Sequence, residues 1–120
     1  MAFVETLQNL VEQVPGAEAA MLMGYDGIPL AEVKKRDDLP MDLQSVAVEY
    51  SGLIREMKKN AASLGTEGLE EVDIKTGTWA VVLRVINEEF FALLLLSSSG
   101  YLGKGRYLLR TACSQVRSEL

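Results

Sequence analysis

The sequence predicts an α+β fold. A five-stranded antiparallel sheet, in the order αββαβββα, carries two terminal helices on one face and one long helix on the other. Three observations predict this. Two strand-like runs, Ala19–Met23 and the segment EFFALLLLS, are apolar on both faces, so both sides of the sheet must be covered. The strands are joined by tight turns, which makes neighbours antiparallel. Helical periodicity occurs at both ends of the chain and in its middle, which supplies the two covering layers.

The elements follow in order. Phe3, Val4, Leu7, Leu10, Val11 and Val14 recur at helical spacing, with Glu5, Gln8, Asn9 and Glu12 opposite, and Pro15-Gly16 stops the helix. AEAAMLMGYDGIPLAEVKK reads as two strands around Tyr25-Asp26-Gly27, where Asp-Gly is a hairpin signal. Pro29 and the charged tail mark the second strand as an edge. Pro40 suits the first turn of a long helix over roughly 40–64, closed by Gly65. Its expected core stripe is Leu43, Val46, Tyr50, Leu53, Met57, Ala61 and Leu64, broadened by Ala47 and Ile54. LEEVDIKT, WAVVLRVIN and EFFALLLLS are three further strands. The first alternates Glu71, Asp73 and Lys75 against Val72 and Ile74, as a half-exposed edge does. Residues 104–120 form a final helix with Leu108, Leu109, Ala112, Cys113, Val116 and Leu120 inward. The first and last strands belong in the middle of the sheet.

Composition narrows the function classes. A chain of 120 residues fits one domain, 1–120, with a core of its own. No apolar run reaches the roughly 20 residues of a membrane span, so no membrane insertion is expected. Glu5 stands where a secretion signal carries Lys or Arg. Seventeen acidic against twelve basic residues, a net charge of −5, argue against nucleic acid as partner. The single cysteine, Cys113, permits no internal disulfide and fits a reducing cytoplasm; it reads as a small core residue. Histidine is absent, which removes the commonest general base and transition-metal ligand. No paired carboxylates replace it. No catalytic residue, metal site or cofactor is therefore expected.

The stretch LLLLSSSGYLGKGRYLLR, 93–110, has the setting of a phosphate-binding loop, a strand running through glycines and a lysine into a helix. The pattern G-x-x-x-x-G-K-[ST] fails on it. Aligned on Gly103-Lys104, its first glycine falls on Ser98 and its hydroxyl position on Gly105. The glycines read instead as a sharp turn from strand to helix. Arg106, Arg110 and Arg117 read as a solvated stripe on that helix.

The same segment, GYLGKGRYLLRTACSQVRSEL, resembles the closing segment of the roadblock / dynein light chain domain family, where a Leu-Gly pair opens the last helix. AAMLMGYDGIPLAE is similar to that family's first hairpin, and EYSGLIREMKKNAASLGTEGLEEVDIKT to its central helix and following strand. The resemblance covers essentially the whole chain, is of bacterial or archaeal type, and implies a roadblock, profilin-like arrangement. The sequence ends at Leu120, short of the extension carried by some bacterial members that activate Ras-like gliding-motility GTPases.

Opposite the expected core stripe, the long helix presents Met41, Ser45, Val48, Gly52, Arg55 and Lys59. A mid-helix glycine on a solvated face costs about 1 kcal/mol against alanine. Either Ser45, Val48 and Gly52 admit a second helix, with Met41, Arg55 and Lys59 around the contact, or the small residues are incidental. The resemblance implies the former, because roadblock domains dimerise through this helix and the adjacent edge strand. Val48, Gly52, Val72 and Ile74 become dimer candidates with Ser45, and Met41, Arg55 and Lys59 partner-binding candidates. The resemblance further implies a cytoplasmic, non-enzymatic homodimer that binds a small Ras-like GTPase and repositions the GTPase's own residues, with Arg55 no arginine finger. Two alternatives stand beside it: a passive scaffold or assembly module, and a small-molecule sensor with Met21, Met23 and Met57 around a pocket.

Overall fold

Strands that are apolar at every position need cover on both faces, and three helices provide it. The computed structural model describes residues 2–120. Its elements are α1 (Ala2–Gln13), β1 (Ala17–Gly24), β2 (Pro29–Lys34), α2 (Leu43–Ser63), β3 (Glu71–Lys75), β4 (Trp79–Val85), β5 (Phe90–Ser97) and α3 (Leu102–Arg117). The sheet runs β2-β1-β5-β4-β3, antiparallel throughout. β5 therefore lies at the centre beside β1, and β2 and β3 are the two edges.

Alternation along β5 divides the core. Ala92, Leu94 and Leu96 pack with Leu7, Leu10, Val11, Leu109, Cys113 and Val116 under α1 and α3. Phe91, Leu93 and Leu95 pack with Met21, Met23, Leu43, Ala47 and Ile54 under α2. Each fully buried leucine in these layers is worth about 2 kcal/mol of apolar burial. In the β1–β2 turn, Gly27 takes φ +88°, and the Asp26 carboxylate accepts the Ile28 N–H at 3.0 Å.

Two boundaries and one buried face differ from the sequence reading. Pro40 precedes α2 rather than opening it; Met41 turns onto the core, and Asp42 is the N-cap, its carboxylate accepting the Ser45 hydroxyl at 2.7 Å. α3 begins at Leu102, so Gly103 and Gly105 lie inside the helix. Gly105 is buried, and a Cβ there would stand 3.1 Å from Leu94 Cδ2 and 3.2 Å from Leu96 Cδ2, so its lack of a side chain lets α3 settle on β5. The turn itself rests on Gly100 and Gly16. Ser97 N–H donates to Gly16 O at 2.9 Å and Tyr101 N–H to Pro15 O at 3.0 Å. Gly16 has φ +86°, and a Cβ on it would run into the Gly100 backbone.

The third difference concerns α2. Its buried residues are Leu43, Ala47, Ser51 and Ile54. Leu53, Met57 and Leu64, expected in the core, are exposed by 40%, 37% and 79%. The helix is turned so that its small residues face the sheet. Ser51 tolerates burial because its hydroxyl donates to Val48 O at 2.7 Å.

A candidate interaction seam along α2 and β3

Successive residues of α2 are about 100° apart, so the side chains that touch neighbouring elements fix its orientation. Gln44 Nε2 donates to Glu32 Oε2 on β2 at 3.4 Å, and Arg55 Nη1 donates to Tyr25 O at the end of β1 at 3.0 Å. Val48 lies against Gly27 in the turn between them. That flank faces the first hairpin. The opposite flank, with Val46, Tyr50, Leu53 and Met57, faces the β3 edge, and Tyr50 packs in the same layer as Val72, Ile74 and Trp79. Val72 and Ile74 are only half-buried. Partly exposed apolar side chains of the helix and of the edge strand therefore lie on the same side of the sheet.

The other face of β3 is charged. Arg106 Nε lies 2.8 Å from Glu71 Oε2 and 2.9 Å from Asp73 Oδ2, while Arg84 Nη1 lies 3.3 Å from Glu71 Oε1. Desolvation pushes the Glu71 carboxyl up, but hydrogen bonds from Arg106, Asp73 and Arg84 and the Arg106 charge outweigh it and hold the group below its ordinary value. Asp73 moves the other way. Desolvation and the neighbouring Glu71 charge raise it, against the opposing pull of Arg106 and Arg84. Arg106 is thus an ion-pair partner of the edge strand rather than part of a solvated stripe. Arg117 also turns inward, its Nε donating to Ile86 O at 2.8 Å, while Arg110 lies over the Tyr107 ring.

The candidate residues fall into separate places. Val72 and Ile74 lie half-buried on the α2 side of the edge strand. Ser45 is exposed and Gly52 half-buried on the outward side of the helix, and Val48, half-exposed, lies on the hairpin flank. Arg55 is bonded to that hairpin, Lys59 is exposed, and Met41 is half-buried against the α2-side core. The fold does not bring Ser45, Val48 and Gly52 to the same flank as Val72 and Ile74. Val46, Leu53 and Met57 occupy that flank instead. The available signal was width, since the apolar arc from Leu53 round to Ala47 exceeds the roughly 100° stripe of one core-facing helix.

Other chemistry-bearing groups are structural. Tyr25 packs on Phe91 with ring centroids 5.3 Å apart and lies under Lys58 Nζ at 4.2 Å; burial and the Glu88 charge push its hydroxyl up to about 12. Burial likewise pushes the Cys113 thiol up to about 12. Met21 and Met23 are fully buried in the α2-side layer, whereas Met57 is at the surface, so the three do not line one pocket. Among the described residues, no group of three or more Asp, Glu, Cys or His is placed to hold a metal ion. No helix there is long and apolar enough to cross a membrane.

Comparison with known proteins identifies what the chain is similar to. Residues 3–96 match the sequence profile of the Roadblock/LC7 domain. The chain is 36% identical to MglC from Myxococcus xanthus over the full length of both chains, with a TM-score of 0.73. The gliding protein MglB from Thermus thermophilus is 20% identical, with 98% of this chain and 90% of that one covered and a TM-score of 0.85. A Roadblock/LC7 domain from Streptomyces avermitilis is 16% identical over 97% and 95%, at a TM-score of 0.84. No curated protein matches in sequence.

Proposed function

Because the chain belongs to the Roadblock/LC7 domain family, we propose that it is a non-enzymatic homodimeric regulator or adaptor of the cytoplasm, whose partner is a small Ras-like GTPase. The observation that carries the dimer is the α2–β3 seam. An unpaired strand edge and partly exposed apolar side chains of α2 lie on one side of the fold, and a second copy covers both at once. β3 then pairs with β3 of the partner, and the two α2 helices lie together above the joined sheet.

In that arrangement Val72 and Ile74 lie at the seam with Val46, Leu53 and Met57. Ser45, Val48 and Gly52 stay on the outward and hairpin sides of α2, where with Arg55, Lys59 and the neighbouring Met41 they form the platform for the GTPase. Such a platform acts by favouring one conformation of the switch segments. Arg55, committed to Tyr25 O, supports the hairpin rather than reaching into a nucleotide site.

The test is capture from lysate of the source cell with the protein as bait, in excess GTP analogue or GDP. Recovery of a small GTPase in one nucleotide state is expected. Equal recovery of larger proteins in both states would instead make the chain an assembly module.

A further inference from the structure

β2 is the other open edge of the sheet. Lys35 N–H donates to Glu18 O at 2.9 Å, and Val33 and Ala31 stand opposite Ala20 and Leu22 on β1. In an antiparallel ladder the N–H and C=O of one residue point the same way, and the direction alternates along the strand. Ala31, Val33 and Lys35 therefore turn their backbone groups toward β1. Glu32 and Lys34 turn theirs outward, where no strand of the sheet meets them.

Both faces of the sheet beside this edge have room for a side chain. On the α1 side, Gln8, Val11, Glu12, Val33, Lys34 and Lys35 surround a hollow of about 300 Å³. The buried Val11 and the half-buried Val33 supply its apolar wall. On the α2 side, Leu30 is 39% exposed and Val48 is 50% exposed. Gln44 reaches Glu32, and Val48, one turn further along α2, lies against Gly27. Leu30 lies between those two contacts along the hairpin, so both apolar side chains border the edge.

The end of the edge is cationic, in a chain whose net charge is −5. Lys34 Nζ lies 3.6 Å from Glu32 Oε1, and Arg36 Nε lies 3.4 Å from Glu18 Oε2. Among the described residues, no carboxylate forms an ion pair with Lys35. Around the hollow the two lysines outnumber Glu12.

The edge is also short. A bulge between Leu22 and Met23 interrupts the ladder, and Pro29, which has no N–H, opens the strand. A second copy of β2 would bring its own Pro29 and its own Lys34, both of which oppose edge-to-edge pairing. A few residues of extended chain with an acidic side chain meet neither obstacle.

We infer that β2 receives a short, extended, acidic peptide segment of a partner protein. The segment adds a strand outside Glu32 and Lys34 and directs a carboxylate at Lys35. Its alternate apolar side chains enter the α1-side hollow and cover Leu30 and Val48. Main-chain hydrogen bonds supply affinity in this mode, and the alternating side-chain positions supply specificity. β2 and β3 are opposite edges of the sheet, so the inference holds whether or not the chain dimerises.

Phage display of short random peptides against the folded chain supplies the probe. Selected peptides should alternate apolar residues and carry Asp or Glu, and panning against Lys35→Glu should replace the acid with Lys or Arg. Binding of a selected synthetic peptide, read by fluorescence anisotropy, should weaken roughly tenfold in Glu32→Pro, which removes the outward N–H and leaves the β1–β2 ladder whole. Leu30→Asp should weaken it by a similar factor. Methylating the backbone nitrogens of the peptide interrupts the same pairing without touching the protein, and should do likewise. Recovery of no binder, selection of peptides with neither alternation nor acid, or binding that survives both Glu32→Pro and the N-methylated peptide would overturn the inference.

Discussion

At the scale of single residues, burial and charge decide reactivity. Cys113 lies on the buried face of α3 between Leu109 and Val116, and burial outweighs the attraction of Arg84 and Arg117 for its thiolate. The folded protein should resist a thiol reagent at a mildly alkaline pH of about 8 and react stoichiometrically once unfolded, a difference that a colorimetric thiol assay reads directly. Asp73 is the more sensitive group. It faces Glu71 and Lys75 on its own strand, Arg84 on β4 and Arg106 on α3, and its carboxyl is raised before any partner arrives. A group whose affinity for protons is greater in the folded chain favours folding at low pH and opposes it as pH rises through the raised value. The Asp73 contribution to stability should therefore improve on acidification toward the carboxylate range, and Asp73→Asn should flatten that dependence in chemical denaturation. A steeper pH dependence with Asn would contradict this. Glu71 has the opposite sign in folding: its contribution is present above the ordinary carboxylate value and is lost as pH falls below it.

At the scale of elements, α2 shows how one apolar pattern serves two purposes. Ile54 is fully buried and Leu53, its neighbour in sequence, is 40% exposed. Ile54→Ala should cost about 3 kcal/mol in chemical denaturation, from lost burial and the cavity left behind. Leu53→Glu should leave the stability of dilute protein within about 0.5 kcal/mol while weakening self-association. Equal destabilisation by both would mean that the helix buries the stripe as its periodicity alone suggested. The stripe was legible from sequence; its rotation was not. A period of 3.6 residues identifies an apolar side but does not separate the arc that meets the sheet from the arc beside it. The deciding residues are small, since Ala47 and Ser51 let the backbone approach β1 and displace Val46 and Met57 to the flank. The glycines of 100–105 followed the same logic. Their failure to match a phosphate loop could be read from spacing, whereas the contacts of Gly100 with Gly16 and of Gly105 with β5 exist only between segments far apart in sequence.

At the scale of the whole molecule, the two faces of the sheet do different work. α1 and α3 close one face over a deep apolar layer, and Arg106 and Arg117 fasten the edge strand and the β4–β5 turn to that side. On the other face a single helix lies over β1 and leaves the β3 side open. The sequence by itself determined the element order, the antiparallel sheet and the helices on each face, because periodicity, turn residues and two-sided apolar strands are local properties; the family followed from the resemblance of whole segments. Tertiary structure alone decided which arc of α2 is buried, that Arg106 reaches across to Glu71 and Asp73, and which backbone groups of β3 stand unpaired. Each of these depends on where one element comes to rest against another, and that is set by the fit of side chains distant in sequence.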